Sequence, residues 1–312
     1  MDKFIKYSIR EPKEGERKIS YSQYSMYSTC PKQWELAYVK GLRTFSQSIH
    51  TLFGTALHET LQLYLTTMYN DSVKQADNLD LHGILREKLF TGYKQAYEQM
   101  GERHFSSKQE LSEFYLDGVA ILDYFRKHRS KYFSTKTEEL VGIEVPIYHP
   151  VSDKHSNIFM VSYLDVVMRN KNTNRYKIID IKTSTNGWNK YQKANKVKAS
   201  QLVLYKHYYA QQFGVDVDHI DILYMIVKRK LIDGALFPQK RIQEFNPASG
   251  KPTRNKLINE ITNWVESSFD ALGEYNTQRE YPAIAGKNYK NCKYCEFAED
   301  DELCPLKNRI KL

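Results

Sequence analysis

Tyr176-Lys-Ile-Ile-Asp-Ile-Lys-Thr183 reads as a β-strand entering a core, yet it carries an acid and a lysine two positions apart. Side chains on a strand alternate faces. Asp180 and Lys182 therefore share one face, and Ile179 and Ile181 the other. Upstream, Asp165 interrupts a second β-rich run, Phe159-Met-Val-Ser-Tyr-Leu-Asp-Val-Val-Met168. The polar turn Asn170-Lys-Asn-Thr-Asn-Arg175 between the two runs predicts a hairpin. Such a hairpin brings two carboxylates and one ammonium into one pocket. That combination suits a divalent cation plus a polarising charge, the equipment of phosphodiester hydrolysis.

Working outward, residues 1–19 read as a polar lead-in and 20–312 as one domain. Residues 20–40 read as a helix with Ser22 as N-cap, broken near Cys30 by Pro31. Residues 51–69 read as a second helix, with Phe53, Leu57, Leu61, Tyr64, Leu65 and Met68 at helical spacing. Residues 71–135 look wholly helical, carry no obvious chemistry, and read as an insertion or cap. Strands follow over 138–148, 157–169 and 176–183, then a basic polar loop over 184–198. The remaining pieces are a helix over 199–213, strands over 220–228 and 239–245, a helix over 255–275, and a loop-rich tail. This order predicts an α/β fold with a mixed central β-sheet flanked by helices.

At 312 residues the chain can bury a sizeable core without staples. It contains no apolar run of membrane-spanning length, and its first residues lack an apolar signal region, so a cytoplasmic protein is expected and no membrane partner. A net charge of +9 favours polyanionic partners.

Several residues help the acidic pair. His58, in Gly54-Thr-Ala-Leu-His58, can add a nitrogen to a metal held by carboxylates. Gly54, one turn earlier, lets backbone approach closely. Gln201 and Tyr205 lie four apart on one helical face, and both can hydrogen-bond a phosphate or orient a catalytic group.

The four cysteines comprise Cys30 and a C-x2-C-x8-C run, Cys292, Cys295 and Cys304. Without a signal peptide, a disulfide framework is not expected. The spacing is that of metal ligands and fits zinc or an iron–sulfur cluster equally. If all four hold one centre, they clamp the two ends of the chain together.

Taken in order, Ser22-Gln-Tyr-Ser-Met-Tyr-Ser-Thr-Cys30-Pro-Lys-Gln-Trp34, Gly54-x3-His58, Asp165, Asp180-x-Lys182, Gln201-x3-Tyr205 and Cys292-x2-Cys295-x8-Cys304 resemble the PD-(D/E)XK nuclease superfamily. Within it the pattern is similar to RecB-type nucleases with an iron–sulfur cluster, such as the AddB nuclease domain and the CRISPR-associated adaptation exonucleases. The resemblance covers residues 20–70 and 138–306, with the cluster-binding segment at 280–306, and implies a restriction-endonuclease-like core. It implies Mg2+ or Mn2+ bound by His58, Asp165, Asp180 and the Ile181 carbonyl, and a catalytic role for Lys182 beside the attacking water. Gln201 and Tyr205 would position DNA or Lys182, and the four cysteines would hold a 4Fe–4S cluster. The implied activity is that of a DNA exonuclease acting on single strands or free ends, with a protein partner in recombination, repair or phage and CRISPR DNA processing. The second acid is Asp180 rather than the commoner Glu, which shortens its reach but keeps the charge.

A DNA track is expected on the loop after the site. Trp188, Lys190, Tyr191, Lys193, Lys196 and Lys198 mix rings with cations, and Lys228, Arg229 and Lys230 end a neighbouring strand.

Overall fold

The computed structural model describes residues 11–311. The part of the lead-in formed by residues 1–10 lies outside them. Arg17–Ile19 forms β1, whose three residues pair in parallel with Ile158–Met160.

Helices α1 (Tyr21–Thr29) and α2 (Pro31–Trp34) flank the expected break at Cys30. The cap of α1 is Ser20, whose hydroxyl accepts from the Gln23 amide, and not Ser22, which lies inside the helix. Ser48 likewise caps the long α3 (Ile49–Asn70). Then come α4 (Val73–Asp77), α5 (Leu81–Gln99) and α6 (Lys108–His128). Strands β2 (Glu138–Ser152), β3 (His155–Asn170) and β4 (Tyr176–Ser184) follow, with Asn170 Oδ1 accepting from the amides of Asn172 and Thr173 in the β3–β4 turn. The expected loop over 184–198 is partly helical. Asn189 and Gln192 form a capping box for α7 (Lys190–Ala194), and Asn195 caps α8 (Lys196–Phe213). The chain ends with β5 (Ile220–Lys228), β6 (Ile242–Phe245), α9 (Lys251–Ser268) and the small parallel pair β7 (Ala283–Ile284) and β8 (Arg309–Ile310).

The sheet is mixed. β2 runs antiparallel along one edge of β3, and the other edge of β3 carries β1 and then β4. β5 joins β4 in parallel, and β6 joins β5 antiparallel. Helices cover both faces. Ile178, Leu164, Leu202 and Trp264 belong to a core on the α1–α8–α9 side, while Ile179, Ile181, Leu57 and Phe125 belong to one on the α3–α5–α6 side. The stretch 71–135 is therefore built into the core of one face, because Leu85, Ile121, Leu122 and Phe125 close over α3 and the sheet. Among the described residues no helix is long and apolar enough to cross a membrane.

Two strands change phase at the same place. Leu164 packs in one core and Val166 in the other, although period two assigns them one face. On β2 the same change falls between Ile143 and Val145. These residues are cross-strand partners, Ile143 with Val166 and Val145 with Leu164. Between them lies Glu144 at φ +50°, a left-handed conformation costly for a residue with a Cβ.

Candidate active site

The β3–β4 ladder ends at Val166–Ile179, and beyond it the strands part. Asp165 and Asp180 are the next residue on each strand. The Asp165 carboxylate takes over from the ladder, accepting from the Ile181 amide at 2.7 Å. Its same oxygen lies 3.1 Å from Nε2 of His58. Gly54 lets α3 come this close, since a Cβ there would sit 3.2 Å from Thr183 Oγ1.

A third acid enters that the sequence reading missed. His58, Glu144 and Asp165 offer ligand atoms that all lie within 4.8 Å of one another. The Gln62 amide, one turn beyond His58, steadies the group. It donates to Glu144 Oε1 at 2.5 Å and to the Asp165 carbonyl at 3.2 Å. Burial alone would lower the His58 pKa, but hydrogen bonding and charge from Asp165, with Glu144 and Asp180 adding, raise it.

Asp180 is 2% exposed, and Lys182 Nζ lies 2.8 Å from its Oδ2. Burial pushes the Asp180 carboxyl above the usual range, and Lys182 opposes that shift. Burial pulls the Lys182 ammonium down, but Asp180 and Asp165 more than offset it, so Lys182 remains a cation at neutral pH. Gln201 donates to Tyr205 Oη at 2.8 Å, and burial reinforced by Asp180 holds the Tyr205 phenol protonated. Tyr21, from α1, reaches the same neighbourhood. Its phenol is held up by burial, with smaller contributions from Tyr205 and Asp180, and its hydroxyl donates to the Val197 carbonyl.

The donor set fits a hard divalent cation. Carboxylate oxygens are what Mg2+ and Mn2+ take, and the one imidazole nitrogen suits Mn2+ better than Mg2+. Asp180 Oδ2, moreover, is buried with no hydrogen-bond donor aligned on it. The compact trio is His58, Glu144 and Asp165, whereas the expected set was His58, Asp165, Asp180 and the Ile181 carbonyl.

The four thiols line one pocket with Leu36, Phe297 and Arg309. Cys30 Sγ accepts from the Ile284 amide at 3.3 Å. Burial raises the thiols of Cys295 and Cys304, and both feel Cys30 and Cys292. Among the described residues no three of these sulfurs lie within 4.8 Å of one another.

The basic track divides. Trp188 is 8% exposed, its ring packed against Tyr224 and Phe245, so it offers no face to a base. Arg229 lies over the Phe114 ring at 3.8 Å and pairs with Asp117 at 2.9 Å, which ties β5 to α6. Lys230 pairs with Glu113 and Asp117. Lys228 is half-buried. Lys190, Tyr191, Lys196 and Lys198 are exposed, Tyr191 at 74%. Lys193 is half-buried, with Nζ 5.7 Å from the Phe245 ring.

The family model of the PD-(D/E)XK nuclease superfamily matches residues 18–304. No curated protein matches the chain.

Proposed function

The chain belongs to the PD-(D/E)XK nuclease superfamily, and on that premise we propose that it is a Mg2+- or Mn2+-dependent deoxyribonuclease, an exonuclease of the RecB type acting on DNA with a free end. The observation that carries this reading is the meeting of His58, Glu144 and Asp165 beside the Asp180–Lys182 pair, where two strands part. His58, Glu144, Asp165 and Asp180 would hold the cation. When bound, it polarises the scissile phosphate and lowers the pKa of a bound water.

The chain's own groups supply the rest. Lys182, kept protonated by two acids, serves as a fixed positive charge where negative charge develops on the phosphate, rather than as a proton acceptor. Asp180 orients that ammonium. Gln201 and Tyr205, hydrogen-bonded to each other, would position the substrate backbone or Lys182. The exposed Lys190, Tyr191, Lys196 and Lys198 would guide the DNA, without Trp188, Arg229 or Lys230. The four cysteines, which line one pocket, would hold a 4Fe–4S cluster.

The test is cleavage of end-labelled linear single-stranded, linear double-stranded and circular DNA with Mg2+ or Mn2+. Loss of linear DNA with circles spared supports an exonuclease. Binding without cleavage under either metal would favour a non-catalytic DNA-binding subunit and sink the enzymatic reading.

A further inference from the structure

Lys206 on α8 is 8% exposed, yet among the described residues no carboxylate pairs with it. Its ammonium donates to the Ser249 hydroxyl at 3.5 Å. Asp221, an acid whose charge reaches Lys206, is already engaged by Arg175 in two hydrogen bonds of 3.0 and 2.6 Å. Arg254, in the first turn of α9, has its Nη1 buried with no partner. Burial and the Arg254 charge push the Lys206 ammonium below its usual range, and burial with the same guanidinium holds the His207 imidazole down.

An uncompensated buried cation such as Lys206 is expensive, and a half-buried guanidinium beside it adds to the cost. Both lie at the N-terminus of α9, where the cap position is Gly250 and no side chain satisfies the first-turn amides. The free amides of Lys251 and Thr253, a helix dipole, a buried ammonium and a half-buried guanidinium make a cradle for an anion. Thr253, in the same first turn, also lines a groove between α8 and α9 with Lys193, Lys196, Phe245 and Lys256, where Glu260 lies 4.0 Å from Lys256. Residues 196, 199, 203 and 206 lie along one stripe of α8. From Lys196 to Lys206 that stripe runs about 15 Å.

We infer that a DNA strand lies along the α8–α9 groove with one phosphate seated between Lys206, Arg254 and the α9 N-terminus, apart from the acidic cluster. The choice of DNA rests on the nuclease reading, and the phosphate chemistry does not. Lysine stems along the groove follow the backbone, and Lys206 with Arg254 anchors its end.

The test uses the full chain, with Lys206→Met and Arg254→Gln as independent variants. In phosphate-free buffer, Lys206→Met should unfold at a higher temperature than wild type, because an unpaired buried charge is gone. Inorganic phosphate, at matched ionic strength, should raise the midpoint of wild type and not of either variant. With EDTA present, a single-stranded oligonucleotide should bind each variant several-fold more weakly, with the salt slope of log affinity reduced by about one. Equal phosphate shifts in all three proteins would overturn the site. A wild-type phosphate shift with unchanged oligonucleotide slopes would overturn the strand assignment and point to a small phosphorylated ligand. Cleavage is read separately. A wild type that cleaves no DNA defeats the nuclease reading while the phosphate shift still tests the cradle.

Discussion

At the scale of single residues, charge decides what Lys182 does. Its ammonium is 2.8 Å from a carboxylate that is 2% exposed, and two acids keep it protonated. Lys182→Ala should lower the cleavage rate by about a hundredfold or more while leaving DNA affinity nearly unchanged. Single-turnover kinetics at saturating metal would check this. Asp165→Asn should cost about a thousandfold, since it removes charge from the cation site and weakens its bonds to Ile181 and His58. Glu144→Gln should leave a folded protein that needs more Mn2+ for half-maximal rate, by about tenfold. Unchanged metal dependence would remove Glu144 from the site. Asp180 and Lys182 were legible in the sequence because alternation along one strand is a local property. Glu144 was not, because it becomes a partner of Asp165 only across the hairpin, at a phase change in both strands.

At the scale of elements, α5 and α6 show how far pattern reading reaches. Their helical character was plain from composition. Their place over β4 and β5 was not, since an amphipathic face does not say what covers it. Phe125, fully buried and edge-on to Tyr64 at 5.4 Å between centroids, tests this. Phe125→Ala should cost about 3–5 kcal/mol by urea unfolding, as for a core aromatic rather than a peripheral cap. The α8 face toward α9 gives a pH prediction. Burial, with Arg254 and His149 charge, pushes the His207 imidazole down to about 4, below its ordinary value near 6.5. The folded state thus prefers neutral His207. That preference stabilises the fold above about pH 6.5 and is lost as pH falls toward 4. His207→Gln should flatten the acid side of the stability profile by on the order of 1–2 kcal/mol. Denaturant titrations in phosphate-free buffers from pH 7 to 4.5 would show it.

At the scale of the whole molecule, the cysteine pocket joins Cys30 to Cys304 and the β7–β8 pair to the α1–α2 break. Asn291 reinforces it, donating to the Thr29 and Ile284 carbonyls at 3.1 Å each. A centre bound there closes a loop of nearly the full chain, which constrains the unfolded state strongly. Cys292→Ser should abolish absorbance near 400 nm if the centre is a cluster, and should lower the unfolding temperature of protein purified without oxygen. A colourless wild type containing zinc would overturn the cluster assignment.

By itself the sequence determined the ingredients that local rules can read: the helices and strands, the Asp180–Lys182 face, the hairpin that brings Asp165 near, and the metal-ligand spacing of the cysteines. Only the tertiary structure decided that Glu144 and Gln62 join His58, that Trp188 and Arg229 serve packing, and that Lys206 is buried beside the N-terminus of α9. The reason is that periodicity reports neighbours a few residues apart, whereas burial and charge pairing depend on segments that meet only after the sheet twists and the helices close on both of its faces.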